Sequence, residues 1–530
     1  MLPMRQPGSI VYWLRQVAAR LDVRMALIVS AVLALALFAA NFWFGPLNQD
    51  EGWYLYAALS WNEGRLPYRD FFFTQGPVLP AVYGWLAPLW SPFGVAGGRA
   101  LTALLGLAAG VMVARLAAAA VAREARPAAA VLALAFTAAN VYHSYFTTIP
   151  KTYALAACLL LGGHLVLTRA ARPGRSWLAA AAGLLLAAAA GTRLSLGALL
   201  AVAGFWLLAE RRRLPGCWLW FGIGGGAGLA LVYGPLLAMA PAQFLFANSF
   251  HAGRETGGLL FVAGSISRCV RGYLPLWLFG VALAAWQVWR PRPADEPRGD
   301  GAPAWPALWF LSFAAVFLVQ LLSPCPYDDY QVPVVPLFAA AVAAWAAQAA
   351  AAPLRPALAW VAAAAAAFAA CSSPLNQDWF ILRQDRFWVV KRQQTDLAKL
   401  REVGRWVRAN SPADRPLLTP DAYLAVEARR RVPPGFEMGP FGYFPALGDA
   451  EAARCRVLNR AGMLRTLRTA DAPLAAFSGY GLAIGAPSMR ELPAADQAEL
   501  WQAVAERYDC IETIPDFGQG STELGMWKLR

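Results

Sequence analysis

Apolar stretches alternate with short polar loops along most of the chain, at approximately 25–44, 97–121, 128–146, 151–168, 177–191, 194–209, 217–240, 273–289, 305–323, 333–350 and 357–373. Residues 25–44 hold twenty positions without a charge, and about twenty apolar residues cross a bilayer core as a helix. No small-residue cleavage site follows them, so they read as a retained first span rather than a signal peptide. The loops carry Arg5/Arg15/Arg20/Arg24, Arg123/Arg126, Arg169/Arg172/Arg175, Arg211/Arg212/Arg213, Arg290/Arg292/Arg298 and Arg355. Eleven spans with the N-terminus inside place every one of these clusters on the cytoplasmic side, as basic loops prefer. Residues 45–96, 147–150, 192–193, 241–272 and 324–332 then lie outside, together with the tail from Ser372. Residues 77–90 are apolar but short, hold three prolines, and would invert every later loop as a twelfth span. They are expected to lie in the outer interface, where Trp85 and Trp90 suit the headgroup layer.

The pattern changes near residue 374. Helical periodicity at 395–408 and 494–507 alternates with strand-like runs at 416–419, 475–484, 510–514 and 526–529. The expected fold is a polytopic α-helical membrane protein of about eleven transmembrane helices, residues 1–373, with a soluble α/β domain over 374–530. Within the first part lie an outer loop at 45–96 and a large outer loop at 241–272.

Composition supports this division. Hydrophobic residues make up 58% and charged ones 15%, too little charge to cover a soluble surface of this size. The net charge of +14 comes largely from arginines between apolar segments, which reads as topology rather than as a nucleic-acid site. Seven cysteines without a C-x-x-C pair and three histidines give zinc or haem little to build on. Cys455 and Cys510 read either as a disulfide in an oxidising compartment or as unpaired buried thiols. No internal repeat is visible, which argues against a secondary transporter.

Polar residues kept at a membrane boundary call for a reason. Asn48-Gln49-Asp50-Glu51-Gly52-Trp53-Tyr54 follows the first span directly. The Asp-Glu pair reads as an interfacial cap or as functional carboxylates. Lys151, at the head of the fourth span, has no topological reason to be outside; it reads as a snorkelling lysine or as an anion ligand. Arg69, Arg193 and Arg254 are likewise external. Each is a solvated surface charge or a ligand. His143 and His164 lie in apolar segments and read as core histidines. Asp328 and Asp329 could cap the tenth span or hold a divalent ion, and capping is the simpler reading.

Asp50-Glu51, then Tyr54, Ala57 and Gly64, then Pro67-Tyr68-Arg69-Asp70-Phe71 and Pro77, resemble the first external loop of GT-C glycosyltransferases. The branch holds protein O-mannosyltransferases, lipid A aminoarabinose transferases and rhizobial lipopolysaccharide galacturonosyltransferases. Tyr330-Gln331-Val332-Pro333-Val334-Val335-Pro336 is similar to the Tyr-x-x-Pro-x-x-Pro that opens a late helix in the same branch. The resemblance covers about residues 25–350, and the tail resembles no family.

Membership implies a polyprenyl-phosphate-sugar donor, inversion at the anomeric carbon and an acceptor outside: a lipopolysaccharide, another envelope glycan or a protein. It implies Asp50 as base, with Glu51 positioning it or binding acceptor; desolvation at a membrane boundary makes carboxylates more basic. The departing phosphate is expected on Lys151, Arg69, Arg193 or Arg254, with Tyr330 donating a hydrogen bond. Tyr54, Tyr68, Gln75 and His143 are expected to line the sugar and acceptor pocket. Where the aminoarabinose branch carries a lysine before the proline ending this loop, the chain has Gln75-Gly76-Pro77. Lys151 or an arginine then replaces that ligand, or the donor is held differently. No metal, no other cofactor and no nucleic acid are expected. The implied location is a bacterial inner membrane, multi-pass, with a cytoplasmic N-terminus and a periplasmic tail. The rival reading is a transporter or flippase of lipid-linked glycans. It asks for charges lining a path through mid-membrane, where Arg115 is the nearest exception to charge-free spans. A relative that has lost transfer and only binds a partner is the third reading.

Overall fold

A computed structural model describes residues 22–289, 304–371, 394–479 and 492–530. Every apolar segment is helical: Val23–Phe44, Gly94–Ala119, Arg126–Phe136 with Val141–Phe146, Thr152–Ala170, Leu178–Ala190, Ala198–Ala209, Cys217–Met239, Leu274–Trp289, Trp305–Leu321, Val335–Ala349 and Arg355–Cys371. Among the described residues, five helices have by themselves the length and apolar composition to cross a membrane. Four shorter apolar helices accompany them, Leu178–Ala190, Leu194–Ala209, Trp305–Leu321 and Val335–Ala349. The third segment is not one helix. Thr137 turns its hydroxyl back onto Ala133 O, and Asn140 caps a new helix by accepting from His143 N, so two polar side chains offer the backbone alternative partners and break the run.

Small residues let the spans approach closely. A Cβ on Gly224 would lie 1.9 Å from Ala180 O, so Cys217–Met239 and Leu178–Ala190 meet backbone to backbone there. Residues 77–90 form two short helices, Val78–Trp85 and Ala87–Trp90. Trp85 and Leu89 are exposed, whereas Trp90 is buried and donates its indole N–H to Tyr83 O at 2.8 Å, so only the first tryptophan faces outward. The outer loop at 241–272 holds two helices, Pro241–Ser249 and Gly258–Gly272, and the second turns by 88° into Leu274–Trp286.

In the tail, Thr395 caps Asp396–Asn410 by accepting from Ala398 N at 3.2 Å. Strands β1 (Leu417–Leu418), β2 (Leu474–Phe477), β3 (Tyr508–Phe517) and β4 (Thr522–Leu529) form a mixed sheet in the order β1-β2-β4-β3. The pair β1/β2 is parallel; the others are antiparallel. The strand expected over 475–484 ends at Phe477, and residues 480–484 lie outside the described residues. Cys455 and Cys510 are both free thiols.

The outer loop at 45–96 and the tail share one hydrophobic core, in which Trp53, Leu55, Tyr56 and Phe73 pack with Val403, Leu417, Tyr423 and Met526. Gly52 marks a close backbone approach: a Cβ there would meet Tyr423 N at 2.2 Å, so the helix Gln49–Asn62 rests directly on Ala422–Ala428. Asp421 anchors this contact, fully buried. It accepts from Gln49 Nε2 at 2.7 Å, Ser478 N at 3.0 Å, Ser478 Oγ at 2.7 Å and Tyr423 Oη at 3.1 Å. Burial raises the Asp421 pKa above its ordinary value, and the four donors only partly offset this. A raised carboxyl pKa in the folded state gives stability that is full below the ordinary carboxyl range and is lost as pH rises through the folded value. The melting temperature of the wild type relative to Asp421→Asn is therefore expected to fall as pH rises from below the ordinary carboxyl range into the neutral range in detergent; a constant difference across that whole range would refute the shift.

Candidate active site

Sequence places two carboxylates side by side, and the helix start sends them in opposite directions. Asn48 caps Gln49–Asn62 in a capping box, accepting from Asp50 N at 3.1 Å while its own N–H reaches Glu51 Oε1 at 3.0 Å. Glu51 turns inward. Its two oxygens take Arg99 Nε at 2.6 Å and Nη2 at 2.7 Å, with both side chains fully buried. Arg99 also donates to the carbonyls of Phe42, Gly45 and Pro46 at 3.2, 2.9 and 2.9 Å. The pair thus ties the end of the first span, the helix start and the second span into one joint. Glu51 has no solvent-facing atom through which to meet an acceptor; it holds its neighbour in place.

Asp50 faces the other way, one quarter exposed, and meets Lys151 Nζ at 2.9 Å. Lys151 bridges to Asp329 Oδ2 at 2.7 Å, where Tyr153 Oη also donates at 2.9 Å. Arg193 lies over the Tyr330 ring at 4.3 Å and over Tyr153 at 5.2 Å. Arg254 donates to Tyr330 Oη at 3.3 Å and rests on Phe250. Five of the expected residues, Asp50, Lys151, Arg193, Arg254 and Tyr330, therefore converge from separate parts of the chain. Tyr54, one helical turn past Asp50, is buried beside them; burial first, and the Asp50 charge second, push its phenol pKa up.

Three cations here face two carboxylates, which leaves a positive surplus for an anion. Burial alone would lower the Lys151 pKa, but Asp329 and Asp50 raise it well above the ordinary value. Burial would raise Asp329, yet Lys151 and Arg193 hold it below the usual carboxylate range. The lysine is thus a fixed charge, and Asp329 is the partner that would retain it if Asp50 let go.

Other expected residues stand apart from this cluster or beside it. Arg69 is not in the cluster: it is spent on its neighbour Asp70, at 2.7 to 3.0 Å, on the exposed turn of the loop. Tyr68 has φ +67°, is buried against Phe244, and donates to Gln75 O. Gln75 Nε2 lies 2.8 Å from His251 Nε2, which also contacts Thr74 O. Burial, then Arg254 and Arg193, lower His251 to about 3, so it is neutral at pH 7. His143 contacts Tyr273 Oη at 3.0 Å, in a neighbouring set where Tyr142 and Arg268 hold Asp328. Asp328 and Asp329 diverge, each to its own donors, instead of converging on a common centre.

Sequence reasoning passed over Arg99, Tyr153, Arg268 and His251. Arg99 carried a usable signal: like Lys151, it is an outer-end charge with no topological reason. Asp329 was seen only as a cap or a metal ligand, because its lysine partner is 178 residues away.

No family model and no curated sequence matches the chain. Among solved structures it is similar to ArnT from Cupriavidus metallidurans in the apo state, with a TM-score of 0.60 at 12% identity, covering 94% of this chain and 97% of that one. The same protein bound to undecaprenyl phosphate gives 0.58 at 14% identity, with the same coverage. The chain is a polytopic helical membrane protein with a C-terminal domain, and it shares the fold of ArnT from Cupriavidus metallidurans.

Proposed function

We propose that the protein is an inverting glycosyltransferase that moves a sugar from a polyprenyl-phosphate donor to an acceptor outside the cytoplasmic membrane of a bacterium. The observation that carries this reading is Lys151 bridging Asp50 and Asp329, with Arg193 and Arg254 meeting at Tyr330. The fold shared with an undecaprenyl-phosphate-bound protein supports the donor class.

In this reading the donor phosphate sits on Lys151, Arg193 and Arg254, with Tyr330 Oη as a further donor. As the phosphate arrives, Lys151 turns from Asp50 toward it while staying paired to Asp329. Asp50, released, takes the proton of the acceptor hydroxyl. That oxygen forms a bond to the anomeric carbon from the face opposite the phosphate. The bond from carbon to phosphate oxygen breaks, its electron pair leaves on the phosphate, and the fixed cations stabilise the charge. Attack from the opposite face inverts the anomeric centre. The residues assigned are Asp50 as base, Glu51 as its positioning neighbour, Lys151, Arg193, Arg254 and Tyr330 for phosphate, and Tyr54, Tyr68 and Gln75 for the pocket wall. Cations gathered at one end of the helices, rather than along a path between them, favour transfer over translocation.

Residues 1–373 form the catalytic membrane part, and 374–530 the periplasmic domain, in an inner membrane with a cytoplasmic N-terminus. The acceptor is a lipopolysaccharide, another envelope glycan or a protein. The test is label transfer from a panel of radiolabelled polyprenyl-phosphate sugars into envelope material, using membranes with wild type or Asp50→Asn. Transfer by the wild type that is lost in a folded Asp50→Asn protein is the expected result. Equal transfer in both removes Asp50 as base, and none from any donor removes the enzyme reading.

A further inference from the structure

The second span begins beside an exposed apolar strip. Trp85, Leu89 and Phe93 are 72%, 72% and 64% exposed, and the strip continues down the span at Leu104, 65% exposed. The tail meets the chain at this point. Glu427, buried, accepts from Val95 N at 3.0 Å, and Arg408 donates to the Glu427 carbonyl. Arg429, exposed at the left-handed end of Ala422–Ala428, donates to Pro92 O at 2.7 Å. Arg401 acts on the Glu427 carboxylate along with Arg408 and Arg429, and Arg405 stands exposed one turn beyond Arg401 on Asp396–Asn410.

These charges are only partly offset locally, by the buried Glu427 carboxylate on which Arg401 and Arg429 act. Among the described residues, no acidic side chain lies within ion-pair distance of Arg401, Arg405 or Arg429. Glu63 is taken by Arg431; Glu402, beside Arg401 on the same helix, accepts from the neutral Gln394 and offsets one charge, which still leaves the arginines in excess. A cationic rim bordering an apolar strip, at the place where a span enters the bilayer, matches a lipid surface in both its charge and its greasy part.

We propose that Arg401, Arg405 and Arg429 form a collar that binds the headgroups of anionic phospholipids, seating the tail on the membrane where the second span enters it. The proposal rests on the membrane architecture and not on sugar transfer. The strip beside the collar argues for a bilayer phospholipid as occupant: it presents exposed aromatic and aliphatic side chains next to Pro92, whose carbonyl Arg429 holds.

The full chain in nanodiscs of phosphatidylcholine, doped with spin-labelled phosphatidylglycerol or phosphatidylcholine, tests this. The wild type is expected to prefer phosphatidylglycerol. The triple variant Arg401→Gln, Arg405→Gln, Arg429→Gln loses most of that preference, at about fivefold per arginine. Arg454→Gln with Arg465→Gln, on other helices of the tail, keeps it. Arg405→Gln alone, at a residue making no described side-chain contact, is the check should the triple variant fail to fold, and it loses about fivefold. Salt near 1 M, which screens exposed charges beyond about 3 Å, is expected to erase the preference in the folded wild type. A wild type without preference, a triple or single variant that retains it, or a preference confined to phosphorylated glycolipids would overturn the proposal.

Discussion

Substituting Arg99 by methionine is expected to destabilise the protein by about 3–5 kcal/mol, because Glu51 would stay buried with its charge unpaired. Methionine fills much of the arginine stem but offers no donor. The carbonyls of Phe42, Gly45 and Pro46 lose their partners at the same time. Against a typical total of about 5–15 kcal/mol, such a loss removes a large part of the folded margin. Adding Glu51→Gln to Arg99→Met removes the stranded charge and is expected to recover much of the stability, although the three carbonyls stay unsatisfied. Thermal unfolding in detergent measures both variants. An Arg99→Met protein melting with the wild type would show that the joint carries no load.

Lys151→Met carries the second large effect, and it divides stability from chemistry. Without the ammonium, Asp50 and Asp329 face each other across a partly buried space and cannot both stay ionised cheaply. Asp50 is one quarter exposed, so the cost is discounted to about 1–3 kcal/mol. Transfer should fall by about 10²–10³, the loss typical when one fixed donor to a developing oxyanion is removed. The double variant Lys151→Met with Asp329→Asn is expected to regain stability while transfer stays low. Recovery of transfer in that double variant would mean that Lys151 serves only to neutralise Asp329.

All eleven apolar segments were legible because length and hydrophobicity suffice to mark a helix in lipid, and each is helical here. The break at 137–140 was not, because Thr137 and Asn140 act through backbone hydrogen bonds that no hydropathy pattern records. The tail's sheet was visible in outline from β-branched and apolar runs, but its core partner was hidden. Nothing in the spacing of Gln49 and Asp421 announces that they touch. In the cluster, Lys151 stood out as a charge with no topological reason to be outside, and Arg193 and Arg254 as external arginines. Arg69 was an external arginine too, yet it is bound by Asp70, so an adjacent carboxylate in the sequence was the cue against it. Arg99 was overlooked because it sits inside an apolar segment, where its full burial makes it the joint of the first loop.

The contact between Gln49 and Asp421 joins residues 372 positions apart. At about 5–20 residues per second, a ribosome needs on the order of twenty seconds to over a minute to make the intervening chain. Throughout that interval the helix carrying Asp50 has already left the first span, while the surface that Gly52 rests on does not yet exist. Trp53, Leu55 and Tyr56, core residues in the finished protein, must wait without their partners. Until the tail is made, those faces need a holding factor or the bilayer surface itself to cover them, and a ribosome that stalls before the tail leaves behind an open-faced membrane protein.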